Sequence, residues 1–217
     1  MQRQTAKTQA NLKHQIYQDL KDKLIHCVYP PGSILNELLL TEEYHVSRTP
    51  VREAISQLEL ENYVKILPKK GIYISDISVD DVHNIFQTRI EIEPVILKMS
   101  APYLEIEKLL DYRRRFETPP QDLAEAFRLD MDMHLYLIDQ CRNHYLISMM
   151  RRLFDDNIRM LIFTGQNRQK LHNAQEEHMA ILNSLISLQD INASAELMRQ
   201  HVLTCRETAL RYFDKKL

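Results

Sequence analysis

Apolar positions between residues 46 and 58 recur in steps of three and four. Val51, Ala54, Ile55 and Leu58 line one side, while Arg48, Thr49, Arg52, Ser56 and Gln57 fall on the other. That spacing predicts an amphipathic helix with an inward stripe. Ser47 suits its N-cap, and Pro50 falls in the first turn, where a missing N–H breaks no helix bond. Arg48 and Arg52, four apart, share a face near the helix N-terminus. A recognition helix presents side chains to base edges, and free backbone N–H groups to phosphate, from that place. An ordinary amphipathic helix with a solvated basic face has the same pattern, so the surroundings have to decide.

Upstream, Ile16, Leu20, Leu24 and Ile25 mark an amphipathic helix that ends before Tyr29-Pro30-Pro31-Gly32, a strong breaker. A second short helix is predicted from about Asn36 to Tyr44, with Leu39 and Leu40 in the core. Downstream, Tyr63-Val64-Lys65-Ile66-Leu67 reads as a strand, Pro68-Lys69-Lys70-Gly71 as a turn and Ile72-Tyr73-Ile74 as a returning strand. Three helices followed by a β-hairpin make a winged helix-turn-helix. The hairpin turn carries two lysines, and Gly71 lets it approach a phosphate backbone without a bulky side chain.

From Ser78 the texture becomes helical. Ser78-Val79-Asp80-Asp81 reads as a capping box with Asp in place of Glu. Breaks are expected near Ala101-Pro102, Thr118-Pro119-Pro120, Arg142-Asn143, Gly165-Gln166-Asn167 and Gln189-Asp190, with a kink at Pro94. The pattern predicts about six helices, the longest near 144–164, 168–188 and 190–214. The fold class is therefore mainly α, with a winged helix-turn-helix over 1–76 and an all-helical bundle over 77–217. Gly165 is the only glycine after Gly71, which leaves the second domain without a glycine-rich nucleotide loop.

At 217 residues the chain is long enough for both domains to bury real cores. Residues 1–75 hold 10 Lys+Arg against 8 Asp+Glu, and the remainder 18 against 22, so a +2 domain accompanies a −4 one. A weakly positive N-terminal domain supports DNA binding, which the overall charge of −2 conceals. No apolar run reaches membrane-spanning length, and the first residues lack the apolar core of a signal peptide. Cys27, Cys141 and Cys205 are odd in number and widely spaced, as expected of free thiols in a reducing cytoplasm.

In the helical half, Asp130 and His134 are four apart and share one helix face. His178 lies midway along a later helix, in Glu176-Glu177-His178-Met179-Ala180-Ile181, and His201 lies on the last one. All three histidines flank apolar positions. Were they to converge, three imidazoles and a carboxylate would form a divalent transition-metal site. Spacing alone does not show that three helices converge, and separate hydrogen-bonded or surface histidines are the simpler reading of it. His14, His26, His45, His83, His144 and His172 have no partners at ligand spacing. Arg113-Arg114-Arg115 reads as a solvated helix end, Asp132 as a solvated charge, and the methionines as core filler.

The stretch from Pro31-Gly32-Ser33-Ile34-Leu35-Asn36-Glu37 through Ser47-Arg48-Thr49-Pro50-Val51-Arg52-Glu53-Ala54, continuing to Lys70-Gly71, resembles the DNA-binding domain of GntR-family transcription regulators. Two positions depart from that pattern: His45 and Asn62 occupy usual glycine sites, where a left-handed backbone is expected. Phe127-Arg128-Leu129-Asp130 with Met133-His134, Asn143, Glu177-His178, Asp190, Ala195 and His201 resembles the ligand-binding domain of the FadR subfamily, in its six-helix VanR-like form. The resemblance implies a metal held by Asp130, His134, His178 and His201, with zinc the first expectation and nickel or manganese the alternatives. It also matches Arg89 and Glu93 to a family Arg–Glu pair. Arg89 then reads either as an intrahelical ion pair worth a few tenths of a kcal/mol or as a fork gripping an effector carboxylate.

The expected protein is a one-component transcription regulator. The resemblance implies a homodimer reading a near-palindromic operator, with a small organic acid at the metal as effector. Arg48 and Arg52 are expected at bases or phosphates, with Ser47, Thr49, Lys70 and Gly71 at the backbone. Metal itself as the signal is one alternative. A metal-dependent hydrolase is another, for which Glu177 is the nearest general base and a poorly aimed one, about 100° from His178.

Overall fold

A computed structural model of the chain describes residues 2–118, 122–165, 174–187 and 190–214. These divide into two compact units, Met1–Ile77 and Ser78–Leu217.

The first unit holds α1 (Gln2–Ile25), α2 (Glu37–Glu43), α3 (Arg48–Leu60) and three short strands, β1 (Ile34–Leu35), β2 (Val64–Leu67) and β3 (Gly71–Ile74). Ile16, Leu20, Leu24 and Ile25 of α1 are buried, as are Val51, Ala54, Ile55 and Leu58 of α3, and the two helices pack together. The periodic stripes thus form the core that seats the recognition helix. The sheet is antiparallel in the order β1-β3-β2, with Leu35 opposite Ile72 and Lys65 opposite Tyr73. Strand β1 was not expected, because two residues are too few to show a period.

Two expectations need correction here. Leu39 is 62% exposed while Leu40 is buried, since adjacent helix residues point about 100° apart and this short helix turns only Leu40 and Thr41 inward. Ser47 does occupy the N-cap of α3, but its side chain makes no capping hydrogen bond. Gly71 is required by the sheet itself. Its φ is +113°, and a Cβ there would stand 2.7 Å from the Leu35 carbonyl oxygen. His45 and Asn62 adopt φ of +52° and +65°, the left-handed backbone expected of the glycines they replace.

In the second unit, six α-helices lie among the described residues: α4 (Val79–Ser100), α5 (Ile106–Glu117), α6 (Leu123–Asp139), α7 (His144–Phe163), α8 (Ala174–Ile186) and α9 (Ile191–Asp214). The Ser78–Asp81 capping box opens α4, and the helix runs on through Pro94 to Ser100. At 22 residues α4 is among the longest helices, and of the helix expected over 168–188 the described residues 174–186 are helical. The breaks expected at 119–120, 166–167 and 189, and His172, lie outside the described residues. Helix α4 packs against α9, α6 and α7, and α8 against α5 and α9. That arrangement brings α6, α8 and α9 around one buried space. Among the described residues no helix is long and apolar enough to cross a membrane.

Candidate metal centre and nucleic-acid interface

Arg48, Thr49 and Arg52 of α3 are exposed, as are its N-cap Ser47 and Lys70 on the turn between β2 and β3. The stripe opposite them is buried in the core, so this face is presented outward by the packing of the helix. A residue that sequence reasoning passed over also belongs to it. Glu37, first residue of α2, takes a hydrogen bond from Arg52 Nε at 2.9 Å and stands 3.9 Å from Arg48 Nε.

Asp130 and His134 come from α6, His178 from α8 and His201 from α9. One ligand atom from each lies within 4.8 Å of all the others. His201 Nε2 is 3.1 Å from His178 Nε2 and 3.3 Å from His134 Nε2, and Asp130 Oδ1 is 3.4 and 3.5 Å from the same two partners. Nitrogens bound to one ion at about 2.1 Å and 90–110° apart stand about 3.0–3.4 Å from each other. The observed spacing therefore fits a shared cation. The three histidines are each 1% exposed, and Asp130 Oδ1 is buried with no hydrogen-bond partner among the described residues.

Two carboxylates outside this set orient the imidazoles. His134 Nδ1 lies 2.7 Å from Glu93 Oε2, and His201 Nδ1 lies 2.7 Å from Glu177 Oε2. Each Nδ1–H donates to its carboxylate, so the Nε2 lone pairs are turned toward the common centre. Such outer partners fix the tautomer and raise ligand basicity. Without a cation these converging lone pairs repel one another, and the arrangement can hold a divalent metal. Cys205, one turn beyond His201, places its thiol 3.6 Å from His201 Nε2, and burial pushes that thiol's pKa up.

The electrostatics follow from burial and neighbours. Burial pushes the Glu93 carboxyl up, but Arg89 and His134 outweigh it and hold it down to about 2. Burial also opposes the Asp130 charge, yet His178, His134 and His201 leave its pKa below the usual value. His201 is pushed well below the ordinary imidazole range, by burial first and then by its two histidine neighbours. The folded state therefore keeps His201 neutral where the unfolded chain, below about pH 6.5, takes up a proton. Glu93 contributes stability above about pH 4.5 that disappears as pH falls toward its folded value. Both effects make acid destabilising. The thermal midpoint of chelator-treated protein should begin to fall below about pH 6.5, and fall more steeply below about 4.5. A first drop that persists unchanged in His201→Asn would remove His201 as its source.

Arg89 is not a surface ion pair. It is 1% exposed, its Nε donates to Glu93 Oε1 at 2.5 Å and its Nη1 to Asn157 Oδ1 at 3.2 Å. Its guanidinium also lies over the rings of Phe154 and Phe86. Burial works against the charge, but Glu93 outweighs it and raises the guanidinium's hold on its proton. Its Nη2 is buried with no hydrogen-bond partner among the described residues. Arg113, Arg114 and Arg115 instead pair with Glu117, Asp111 and Asp132 near the end of α5.

A winged helix-turn-helix unit with an outward arginine pair, and a helical unit that buries a His/Asp cluster, define a DNA-binding transcription regulator. Residues 12–74 match the bacterial regulatory proteins of the gntR family, and residues 84–204 match the FCD domain. The chain belongs to the gntR family and carries an FCD domain. Similar proteins include the HTH-type transcriptional repressor GlaR of Escherichia coli strain K12, 27% identical over 87% of this chain and 91% of that one. The HTH-type transcriptional repressor RspR of the same strain is 27% identical over 94% and 93%. Among solved structures, E. coli McbR/YncC shares the fold with a TM-score of 0.76, at 19% identity over 93% of this chain and 98% of that one. GlaR and RspR are named as transcriptional repressors, and this chain is a transcription regulator rather than an enzyme. Glu177 accordingly serves as the hydrogen-bond partner of His201 and not as the base of a hydrolase.

Proposed function

We propose that operator affinity in this regulator is set by a small organic acid bound at a divalent-metal centre in the FCD domain. The observation behind this reading is that three Nε2 atoms and one carboxylate oxygen from three helices converge within 4.8 Å. Asp130, His134, His178 and His201 would hold the ion, with zinc preferred and nickel or manganese compatible with the same donors. When bound, the ion supplies a Lewis-acidic anchor with open positions for effector oxygens. Glu93 and Glu177 keep the imidazoles oriented, and Arg89 offers its unpartnered Nη2 to the effector's carboxylate. An effector changes DNA affinity only if it binds one arrangement of the protein better than another.

On the DNA side, Arg48 and Arg52 meet base edges or phosphates, while Ser47, Thr49, Lys70 and the glycine-bearing turn at Gly71 lie along the backbone. The protein acts in the cytoplasm as a homodimer on a near-palindromic site, and represses, as the names of two relatives suggest for those proteins. A second reading has metal alone as the signal, because four protein donors already complete a tetrahedral ion.

The test is elemental analysis of protein purified without chelator or affinity metal, beside His134→Ala/His178→Ala. About one equivalent of a transition metal in the wild type and none in the double variant is expected. No metal after incubation with zinc, nickel or manganese would make the histidines structural and sink the proposal. Once metal is found, operator binding that follows small carboxylates favours the effector reading, and binding that follows free metal alone favours the second.

A further inference from the structure

Glu37 stands on the same outward face as the two arginines, yet it carries the charge that DNA repels. It is held rigidly. β1 pairs with β3 just before it, and Asn36 caps α2 by accepting from the Leu38 backbone N–H at 2.8 Å. From there its two oxygens divide between two guanidinium groups, Oε2 2.9 Å from Arg52 Nε and Oε1 3.9 Å from Arg48 Nε. The Glu37 side chain is 28% exposed, while Arg48 and Arg52 are 65% and 62% exposed. Only the Nε edge of Arg52 is engaged. Its terminal amines have no hydrogen-bond partner among the described residues.

We propose that Glu37 is a positioning and selectivity residue for DNA reading, holding Arg52 by its Nε edge so that its terminal amines face the base. This rests on the reading of Arg52 as a DNA contact. Two physical consequences follow. A guanidinium already fixed by a carboxylate loses less side-chain freedom when it pairs with guanine, and its fork is aimed before the encounter. The carboxylate also offsets part of the arginine charge and opposes phosphate, which weakens binding to any sequence alike. Glu37 therefore strengthens the correct contact and penalises the unspecific one, and both effects raise the ratio between them.

The test uses full-length protein and duplexes that the wild type enriches from a random-sequence library, with unselected duplex as the reference. Anisotropy titrations give the affinity ratio between the two for wild type, Glu37→Gln, Glu37→Asp and Arg52→Ala. For Glu37→Gln the ratio should fall about fivefold or more, the lower end of what one bidentate contact discriminates. Its affinity for unselected duplex should rise, with a steeper salt dependence. Glu37→Asp keeps the charge but shortens the reach, so it should lose selectivity while keeping the wild-type salt slope. Circular dichroism melting checks that each variant folds. Unchanged ratios for both Glu37 variants, with a reduced ratio for Arg52→Ala, would overturn the role of Glu37 alone. An unchanged ratio for Arg52→Ala would overturn the reading on which it rests, and this inference with it.

Discussion

Arg89→Met is expected to cost about 3–5 kcal/mol of folding stability, the usual effect of removing one partner from a buried ion pair. The guanidinium is 1% exposed and bonded to Glu93 and Asn157, so methionine fills much of its volume but leaves a carboxylate buried without its main cation. Glu93 would retain only His134, and its pKa should climb from about 2 as burial prevails. Urea unfolding of metal-free protein at pH 7 measures the loss. A change below about 1 kcal/mol, the scale of an exposed pair, would show that the pair is not coupled as its burial implies. The double variant Arg89→Met/Glu93→Leu removes both charges and should recover most of the stability, since an apolar replacement of a buried pair is often neutral. It should not recover metal binding, because His134 then loses the acceptor of its Nδ1–H. Losing such a partner typically weakens metal affinity 10–100-fold (roughly).

The second large effect is metal-linked stability. Zinc added to chelator-treated wild type should raise the melting midpoint continuously with free zinc, reaching about 4 kcal/mol of stabilisation at a thousandfold excess over Kd. In His134→Ala/His178→Ala the midpoint should not respond. The double variant loses packing as well as ligands, so each protein is compared with itself with and without zinc. A zinc response that survives the double substitution would place the ion elsewhere. A wild type that does not respond would mean that the converging imidazoles hold no zinc, and the assignment of the pocket would fail.

Much of the fold was legible because its signals are local. The stripe Val51, Ala54, Ile55 and Leu58 had to face inward wherever α1 lay. Ser78 and Asp81 form their capping box within four residues of chain, and the strained backbone at His45 and Asn62 shows in the glycines they replace. Leu39 misled because a helix of seven residues offers too few turns to separate an inward position from its neighbour.

The candidate site was legible in its parts. Asp130 and His134 share a face by helical spacing alone, and the resemblance to known regulators supplied the other two histidines. By itself the sequence determined the residue types, the faces they occupy and the DNA-reading motif, since these depend on separations of three or four residues. Only the tertiary structure decided that α6, α8 and α9 meet at one point. It alone turned Glu93 to His134 and gave Glu177 to His201 on another helix rather than to adjacent His178. It also laid Glu37 against Arg52, fifteen residues away. Contacts like these depend on how separate elements pack, and no period along a single chain encodes the distance between two helices.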